Sequence, residues 1–348
     1  MTTAGVSQWA SQSYPSVCAA IACMLLADGS VSAQSLKTFP PGTQPLNASV
    51  GVYLIDLVKI DEATLSFTLS GYLNFEWRDA RLGRELPPQL DRDALALDQV
   101  WNPNIELMNE YNARVVNNSR LTADAEGLVR YEERFEAQLS TELDLRRFPF
   151  DRQTLLMSIE SFRYGSDELV LTPRQGHALQ SPAAFLPDWY ILAARQRADS
   201  DRNNPERKEY SRYHFEIDVQ RKVGYYVWNV FLPLAFIVLL PWAVFWIDAQ
   251  DVRTRVSISM TALLTAIALS LVITGSRPRV SYMTFFDAVF LNSYFLIFLS
   301  TVSVVAEHFT LRRTSSARIA ERTSAVGRVA YPTLLVLSNV LLVLMFLF

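Results

Sequence analysis

From about residue 38 to 222, short segments of Val, Leu, Phe, Tyr and Trp are separated by Gly, Pro, Asn and Asp. Leu65-Ser66-Phe67-Thr68-Leu69 and Tyr213-His214-Phe215-Glu216-Ile217-Asp218-Val219 alternate with period two. Such alternation sends one set of side chains into a core and the other into solvent, which predicts half-buried strands. A run of 185 residues of this kind predicts a sandwich or a barrel. Pro87-Pro88, Pro173, Pro182, Pro187 and the polar run 197–209 read as loops, because they lack a continuous apolar face and proline interrupts backbone ladders. At Val223 the pattern changes. Residues 223–247, 256–276 and 329–348 are uncharged, and 280–306 carries one charge, Asp287. A helix rises about 1.5 Å per residue, so about 20 residues cross the hydrocarbon layer, and each of these four runs can span it.

The flanking charges orient the spans. Arg253 and Arg255 lie between the first and second, and Arg312, Arg313, Arg318, Arg322 and Arg328 surround the connection of the third to the fourth. Arginine excess marks cytoplasmic connections, which leaves the N-terminal domain and the C-terminus outside. Arg277 and Arg279 in the short outer link run against the rule but are outnumbered. The expected location is therefore a cell inner membrane, crossed several times, with both ends periplasmic or extracellular.

Composition then changes its meaning. Over 348 residues the chain is 50% hydrophobic and 19% charged, and its mean hydropathy is +0.12. That average conceals a segment 34–222 with 23 basic and 29 acidic side chains, and a segment 223–348 with 9 and 5. A net charge of −3 argues against a phosphate-tracking surface, so no nucleic-acid partner is expected. Both cysteines, Cys18 and Cys23, fall in 1–33, which reads as a signal peptide: an apolar stretch too short to span, then Val31 and Ala33 before a cut after Ala33. The mature chain then has no cysteine, which suits an oxidising compartment.

The second span mixes hydroxyl and small residues with leucine. Arg253, Ser257, Thr261, Leu264, Ala268 and Leu271 recur at steps of four and three and form one helical stripe. In a ring of such helices the hydroxyls replace part of an ion's hydration shell and a Leu264 ring closes the path by dewetting. The competing reading is close helix packing, which small residues also favour in membranes. One chain with four spans cannot enclose the stripe, so pore lining implies a ring of copies. Arg255 is expected to anchor the helix end or pair between subunits.

Leu145-Arg146-Arg147-Phe148-Pro149-Phe150-Asp151-Arg152-Gln153-Thr154-Leu155 closely resembles the signature loop of the pentameric ligand-gated ion channels, the Cys-loop receptor superfamily and its bacterial homologues. In order along the chain it is accompanied by Trp77-Arg78-Asp79-Ala80-Arg81-Leu82, Trp101-Asn102-Pro103-Asn104, Pro233 in the first span, and Pro278 followed by Tyr282-Met283-Thr284. The cysteines that bracket the loop in animal members are replaced by Thr141 and Leu155, as in bacterial relatives. The resemblance implies an all-β extracellular sandwich of about ten strands, immunoglobulin-like, over residues 34–222. It also implies a four-helix transmembrane domain, 223–348, with helices near 223–247, 254–275, 280–306 and 327–348, assembled as a homopentamer around a central pore.

The same resemblance implies an agonist site between neighbouring sandwiches, with Phe162, Tyr164 and Tyr210 on one face and Tyr72 on the other; Tyr210 is expected in a flexible loop after Arg197. Glu106, Asn109, Glu133 and Arg134 are polar candidates near it. Asp151, Pro149, Arg221 and Glu62 or Asp61 are implied to couple this domain to the membrane domain. The partners so implied are membrane lipids, a small-molecule agonist or protons, and permeating monoatomic ions, with no cofactor. Charge selectivity stays open, because Arg253-Thr254-Arg255 stands where cation-selective relatives place a carboxylate ring. An enzyme is disfavoured: His177, His214 and His308 are dispersed, each read as structural or exposed, and no G-x-S-x-G or H-E-x-x-H pattern occurs. A non-conducting, membrane-tethered receptor is the remaining alternative.

Overall fold

The computed structural model describes residues 35–42, 44–83, 90–175, 181, 186–202, 208–275, 280–314 and 317–347. The expected signal peptide, Pro278 and Arg277 and Arg279 lie outside these residues.

Among the described residues the N-terminal part folds into nine strands, one fewer than expected: β1 (Leu46–Asp61), β2 (Ser66–Arg78), β3 (Ile105–Leu107), β4 (Glu110–Ala123), β5 (Leu128–Ser140), β6 (Arg152–Ser161), β7 (Leu169–Pro173), β8 (Trp189–Asp201) and β9 (Tyr210–Arg221). They form a five-stranded sheet, β4-β5-β2-β1-β7, and a four-stranded sheet, β3-β6-β9-β8. Period-two alternation builds the core between them. Phe67, Leu69, Leu73, Phe75 and Trp77 of β2 face Tyr213, Phe215, Ile217 and Val219 of β9, and all are buried. The architecture is a sandwich, which resolves the choice against a closed barrel.

Three details depart from the sequence reading. Leu65 is a turn residue at positive φ rather than strand. Pro173 ends β7, where a missing amide hydrogen costs no internal ladder bond. The polar run after Arg197 is strand as far as Asp201, pairing in register with β9 from Arg197↔His214 to Asp201↔Tyr210. Its alternating charges are satisfied across the ladder, Arg197 by Glu216 at 2.7 Å and Asp201 by Arg212 at 2.6 Å, so no apolar face is needed.

Four helices follow: α1 (Gly224–Trp246), α2 (Val252–Thr274), α3 (Phe285–Thr314) and α4 (Ala317–Leu347), each with a stretch long and apolar enough to cross a membrane. Just before Pro233, α1 widens into a π-helical turn, Val227–Phe231, where the proline ring and its missing donor disfavour regular α bonding. Asp251 caps α2, accepting from Thr254 N at 3.2 Å. Thr284 and Asp287 cap α3 reciprocally, with Thr284 Oγ1 accepting from Asp287 N at 3.1 Å and Asp287 Oδ2 from Thr284 N at 3.2 Å. Helix α3 therefore starts at Phe285 and continues beyond 306, while α4 begins before 327. Gly327 lets α4 approach α1: a Cβ there would come within 2.4 Å of the Phe245 ring.

Candidate functional site

Three groups of side chains carry the expected chemistry, at the outer end of the sandwich, at its junction with the helices, and along α2.

At the outer end, β6 finishes at Ser161, whose Oγ donates to Pro103 O at 2.7 Å and accepts from Tyr164 N at 3.0 Å, fixing the turn. Tyr164 is half-buried, and its hydroxyl accepts from Trp101 Nε1 at 2.8 Å. Phe39 lies edge-on to both rings at 5.2 Å. Beside them a cavity of about 280 Å³ is lined by Lys37, Asp98, Trp101, Asn104, Arg163 and Tyr164. Phe162 is 67% exposed. Tyr210 opens β9 and is buried, with the Lys208 ammonium 5.9 Å from its ring centre. Its place is the start of a strand rather than a loop. Tyr72 lies on β2, in the other sheet, where it is exposed and pairs in register with Arg134. A single chain thus puts Phe162 and Tyr164 at the end of one sheet and Tyr72 on the outer face of the other, and does not bring the four aromatics together.

The polar candidates separate likewise. Arg134 is exposed beside Tyr72. Asn109 is a local brace, donating to Ser140 O at 2.9 Å and to Leu156 O at 2.6 Å. Glu106 faces outward, and partial burial together with Glu160 directly opposite and nearby Glu110 raises its carboxyl pKa. Glu133 points into the sandwich, accepts from the Tyr131 hydroxyl at 2.6 Å and lies 3.2 Å from Arg114 Nε. Among the described residues no cluster of three His, Cys, Asp or Glu groups is arranged to hold a metal.

At the junction, the chain reverses through Phe148-Pro149-Phe150, with a cis bond before the buried Pro149. Phe148 packs at 4.9 Å from Tyr226 and 5.7 Å from Phe286, and Phe150 at 5.6 Å from Phe285. Backbone bonds add to this contact: Phe285 N donates to Arg146 O at 2.8 Å, and Leu145 N to the Tyr282 hydroxyl at 3.1 Å. Above it, Arg221 is 3% exposed. Its Nε and Nη2 donate to the two oxygens of Asp151 at 2.8 and 3.1 Å, and its Nη1 to Glu62. The guanidinium also lies 4.2 Å from the Trp189 ring centre and 4.7 Å from that of Phe148. Burial opposes its charge, but the Asp151 hydrogen bonds and the two carboxylates outweigh it and raise its pKa. Of the two acidic candidates in the turn, Glu62 makes this pair. Asp61 instead holds Lys59 at 2.5 Å and caps the turn by accepting from the Ala63 and Thr64 amides; the lysine, helped by Thr64, lowers its pKa.

Along α2, Arg253, Ser257, Thr261, Leu264, Ala268 and Leu271 are all exposed, Leu264 by 68%. The opposite face, Arg255, Ser259, Ala262 and Ala266, is buried against the other helices. Within the subunit the small residues serve packing and the stripe does not. Arg255 is neither a headgroup anchor nor an intersubunit partner. It is fully buried, donating from Nη2 to Glu307 of α3 at 2.9 Å and from Nε to Val244 O of α1 at 3.1 Å. Ser324 of α4 donates to the same Glu307 at 2.8 Å, so four helices meet at one ion pair. Sequence reasoning missed Glu307 because it stands one residue beyond the apolar run of the third span.

Residues 34–223 match the neurotransmitter-gated ion-channel ligand binding domain, and residues 230–340 the neurotransmitter-gated ion-channel transmembrane region. The chain belongs to the neurotransmitter-gated ion-channel family. It is similar to the proton-gated ion channel of Gloeobacter violaceus, at 26% identity over 90% of this chain and 87% of that protein. It is also similar to the gamma-aminobutyric acid receptor subunit beta-like protein of Drosophila melanogaster, at 27% identity over 77% of this chain and 57% of that protein. As a member of this family it is a ligand-gated ion channel and not an enzyme: a multi-pass membrane protein with an extracellular ligand-binding domain and pore-forming helices.

Proposed function

We propose that five copies of this chain surround a pore lined by Arg253, Ser257, Thr261, Leu264, Ala268 and Leu271, in a cell inner membrane with the sandwich outside. The observation that carries this reading is the division of α2 into a buried face of Arg255, Ser259, Ala262 and Ala266 and an exposed stripe of hydroxyls followed by leucines. An apolar ring at Leu264 and Leu271 excludes water when narrow, and the hydroxyls below it serve a dehydrating ion. Residues 34–222 are the agonist-binding unit and 223–348 the channel unit.

The agonist site lies between neighbouring sandwiches, since Tyr72 stands on the sheet opposite Phe162 and Tyr164 and only a second copy brings such faces together. The effector is a small molecule or protons; the similar Gloeobacter channel is proton-gated. Binding is transmitted through Arg221, Asp151 and Glu62 to the aromatic contacts of Phe148 and Phe150 on the helices, with Pro149 between them and Asp61 shaping the adjacent turn. At the cytoplasmic mouth Arg253 is the charged member of the stripe, with the exposed carboxylates of Asp248 and Asp251 beside it, while Arg255 is neutralised by Glu307. A ring of Arg253 guanidinium groups on the stripe favours anions over cations to the extent that it outweighs the carboxylates of Asp248 and Asp251. Reconstituted channels held under a salt gradient while pH and small molecules are varied test both levels: evoked current supports the channel, and a reversal potential at the anion equilibrium value supports the mouth charge. Binding without current under every condition contradicts the pore reading.

A further inference from the structure

The outer face of the four-stranded sheet carries a ladder of charged side chains with one histidine set into it. Alternation along β9 predicts that His214 faces solvent, yet it is only 5% exposed. Both ring nitrogens are engaged. Ser158 Oγ on β6 lies 2.9 Å from Nδ1, and Asp199 Oδ1 on β8 lies 3.1 Å from Nε2. The imidazole therefore ties the middle strand to both neighbours.

The charged groups around it come from every adjoining strand. On β8 stand Arg197, in register with His214, and Asp199, Arg195 and Asp201. On β9 its neighbours are Arg212 and Glu216; on β6 it is Glu160, which itself pairs in register with Glu106 of β3. These groups engage one another: Arg197 bonds Glu216 at 2.7 Å, Arg212 bonds Glu160 at 2.7 Å and Asp201 at 2.6 Å, and Arg195 bonds Asp218 at 2.7 Å. In this ladder the imidazole is the type of group that ordinarily changes charge between pH 5 and 8. Burial depresses its pKa below the ordinary 6.5; Asp199 works against that, and Arg197 and Arg212 add to it.

The sign follows from linkage. A histidine whose pKa is depressed stabilises the present arrangement fully above about pH 6.5, and that contribution is lost as pH falls through the lowered value. Acid therefore favours arrangements in which the ring is better hydrated or closer to a carboxylate. The strands it joins lead directly to Tyr210, at the start of β9, and to Phe162 and Tyr164, just after β6.

We propose that His214 is a proton-binding site that couples external acidity to the β8–β9 hairpin and β6, and thereby to gating. The gating half rests on the placement of the agonist site beside Tyr210, Phe162 and Tyr164; proton binding at His214 does not.

The test uses the purified full-length protein. Thermal unfolding between pH 8 and 5 is compared for the wild type, His214→Asn, Asp199→Asn and Arg197→Gln. The wild type loses stability relative to His214→Asn as pH falls below 6.5. The loss begins near pH 6.5 in each protein that keeps the histidine; it is larger and completes at lower pH in Asp199→Asn, which removes a group that favours the imidazolium, and is smaller and completes at higher pH in Arg197→Gln, which removes one that opposes it. The two opposite shifts carry the test should His214→Asn fail to fold. Superimposable profiles for all four proteins overturn the proton site.

Currents evoked in proteoliposomes by pH steps from 7.5 to 5 test the gating half, with the half-maximal pH expected to move in the same two directions. Unmoved midpoints, or a wild type silent to every pH step, overturn that half while the unfolding result stands. Because unfolding requires no conduction, failure of the proton site is distinguishable from failure of the channel reading.

Discussion

Replacing Arg221 by alanine removes the cation that holds two carboxylates at the base of the sandwich. The guanidinium is 3% exposed, Asp151 is 2% exposed, and Glu62 completes the pair from the β1–β2 turn. Losing one member of a buried ion pair costs about 3–5 kcal/mol, because the remaining charge keeps its desolvation penalty without compensation. Here two carboxylates are left facing each other, and the rings of Trp189 and Phe148 lose their cation as well. The loss falls where β9 enters α1, three residues before Gly224 and directly above the Phe148 and Phe150 contacts on α1 and α3. The outer aromatics are untouched, so agonist affinity of the isolated site is retained while its linkage to the helices is not. A coupling loss of about 3 kcal/mol lowers the open-to-closed ratio by about 150-fold. Arg221→Ala protein at wild-type surface density should therefore bind agonist and pass almost no current. Arg221→Lys should recover part of the current, since an ammonium keeps the charge but not the bidentate fork to Asp151. Full agonist-evoked current from well-expressed Arg221→Ala channels would refute the reasoning.

Further expectations follow from the other two groups. Glu307→Gln leaves Arg255 buried without its charged partner and should lower the unfolding temperature by an amount equivalent to about 3–5 kcal/mol, whereas Arg255→Met combined with Glu307→Leu should recover most of it in the same melting assay. Trp101→Phe deletes the 2.8 Å bond to the Tyr164 hydroxyl; it should cost about 1 kcal/mol of stability in a denaturation series and raise the half-maximal agonist concentration, as Tyr164 loses its fixed orientation. Leu264→Thr should produce current without agonist in planar bilayers, since a hydroxyl ring stays wet where a leucine ring does not.

Much of this arrangement was legible in the residues themselves. Period-two alternation located β2 and β9, and long uncharged runs located the helices, because burial and lipid exposure act on every residue of an element. Phe148-Pro149-Phe150-Asp151 was legible as a motif, and the α2 stripe as a helical period. Pairings between distant residues were less so. Glu62 and Asp61 are neighbours on a turn, and only the backbone path shows that the first reaches Arg221 and the second caps its own turn. Arg255 lies 52 positions from Glu307, and nothing local to either residue announces the other. Residues 197–201 resembled a loop because their side chains are polar, yet cross-strand charge pairs satisfy them on an otherwise ordinary strand. His214 obeys the alternation and is nevertheless buried, since its cover comes from the long side chains of the neighbouring strands.

The central claim is that the exposed stripe of α2 lines the conducting path. Both cysteines precede residue 34, so single cysteines on α2 are read against a background in which the sandwich and helices contain none. In Leu264→Thr channels, a charged, membrane-impermeant thiol reagent should block current through Ser257→Cys, Thr261→Cys and Ala268→Cys and leave Ser259→Cys, Ala262→Cys and Ala266→Cys unaffected. Equal block of both sets, or block confined to the second, would contradict the account.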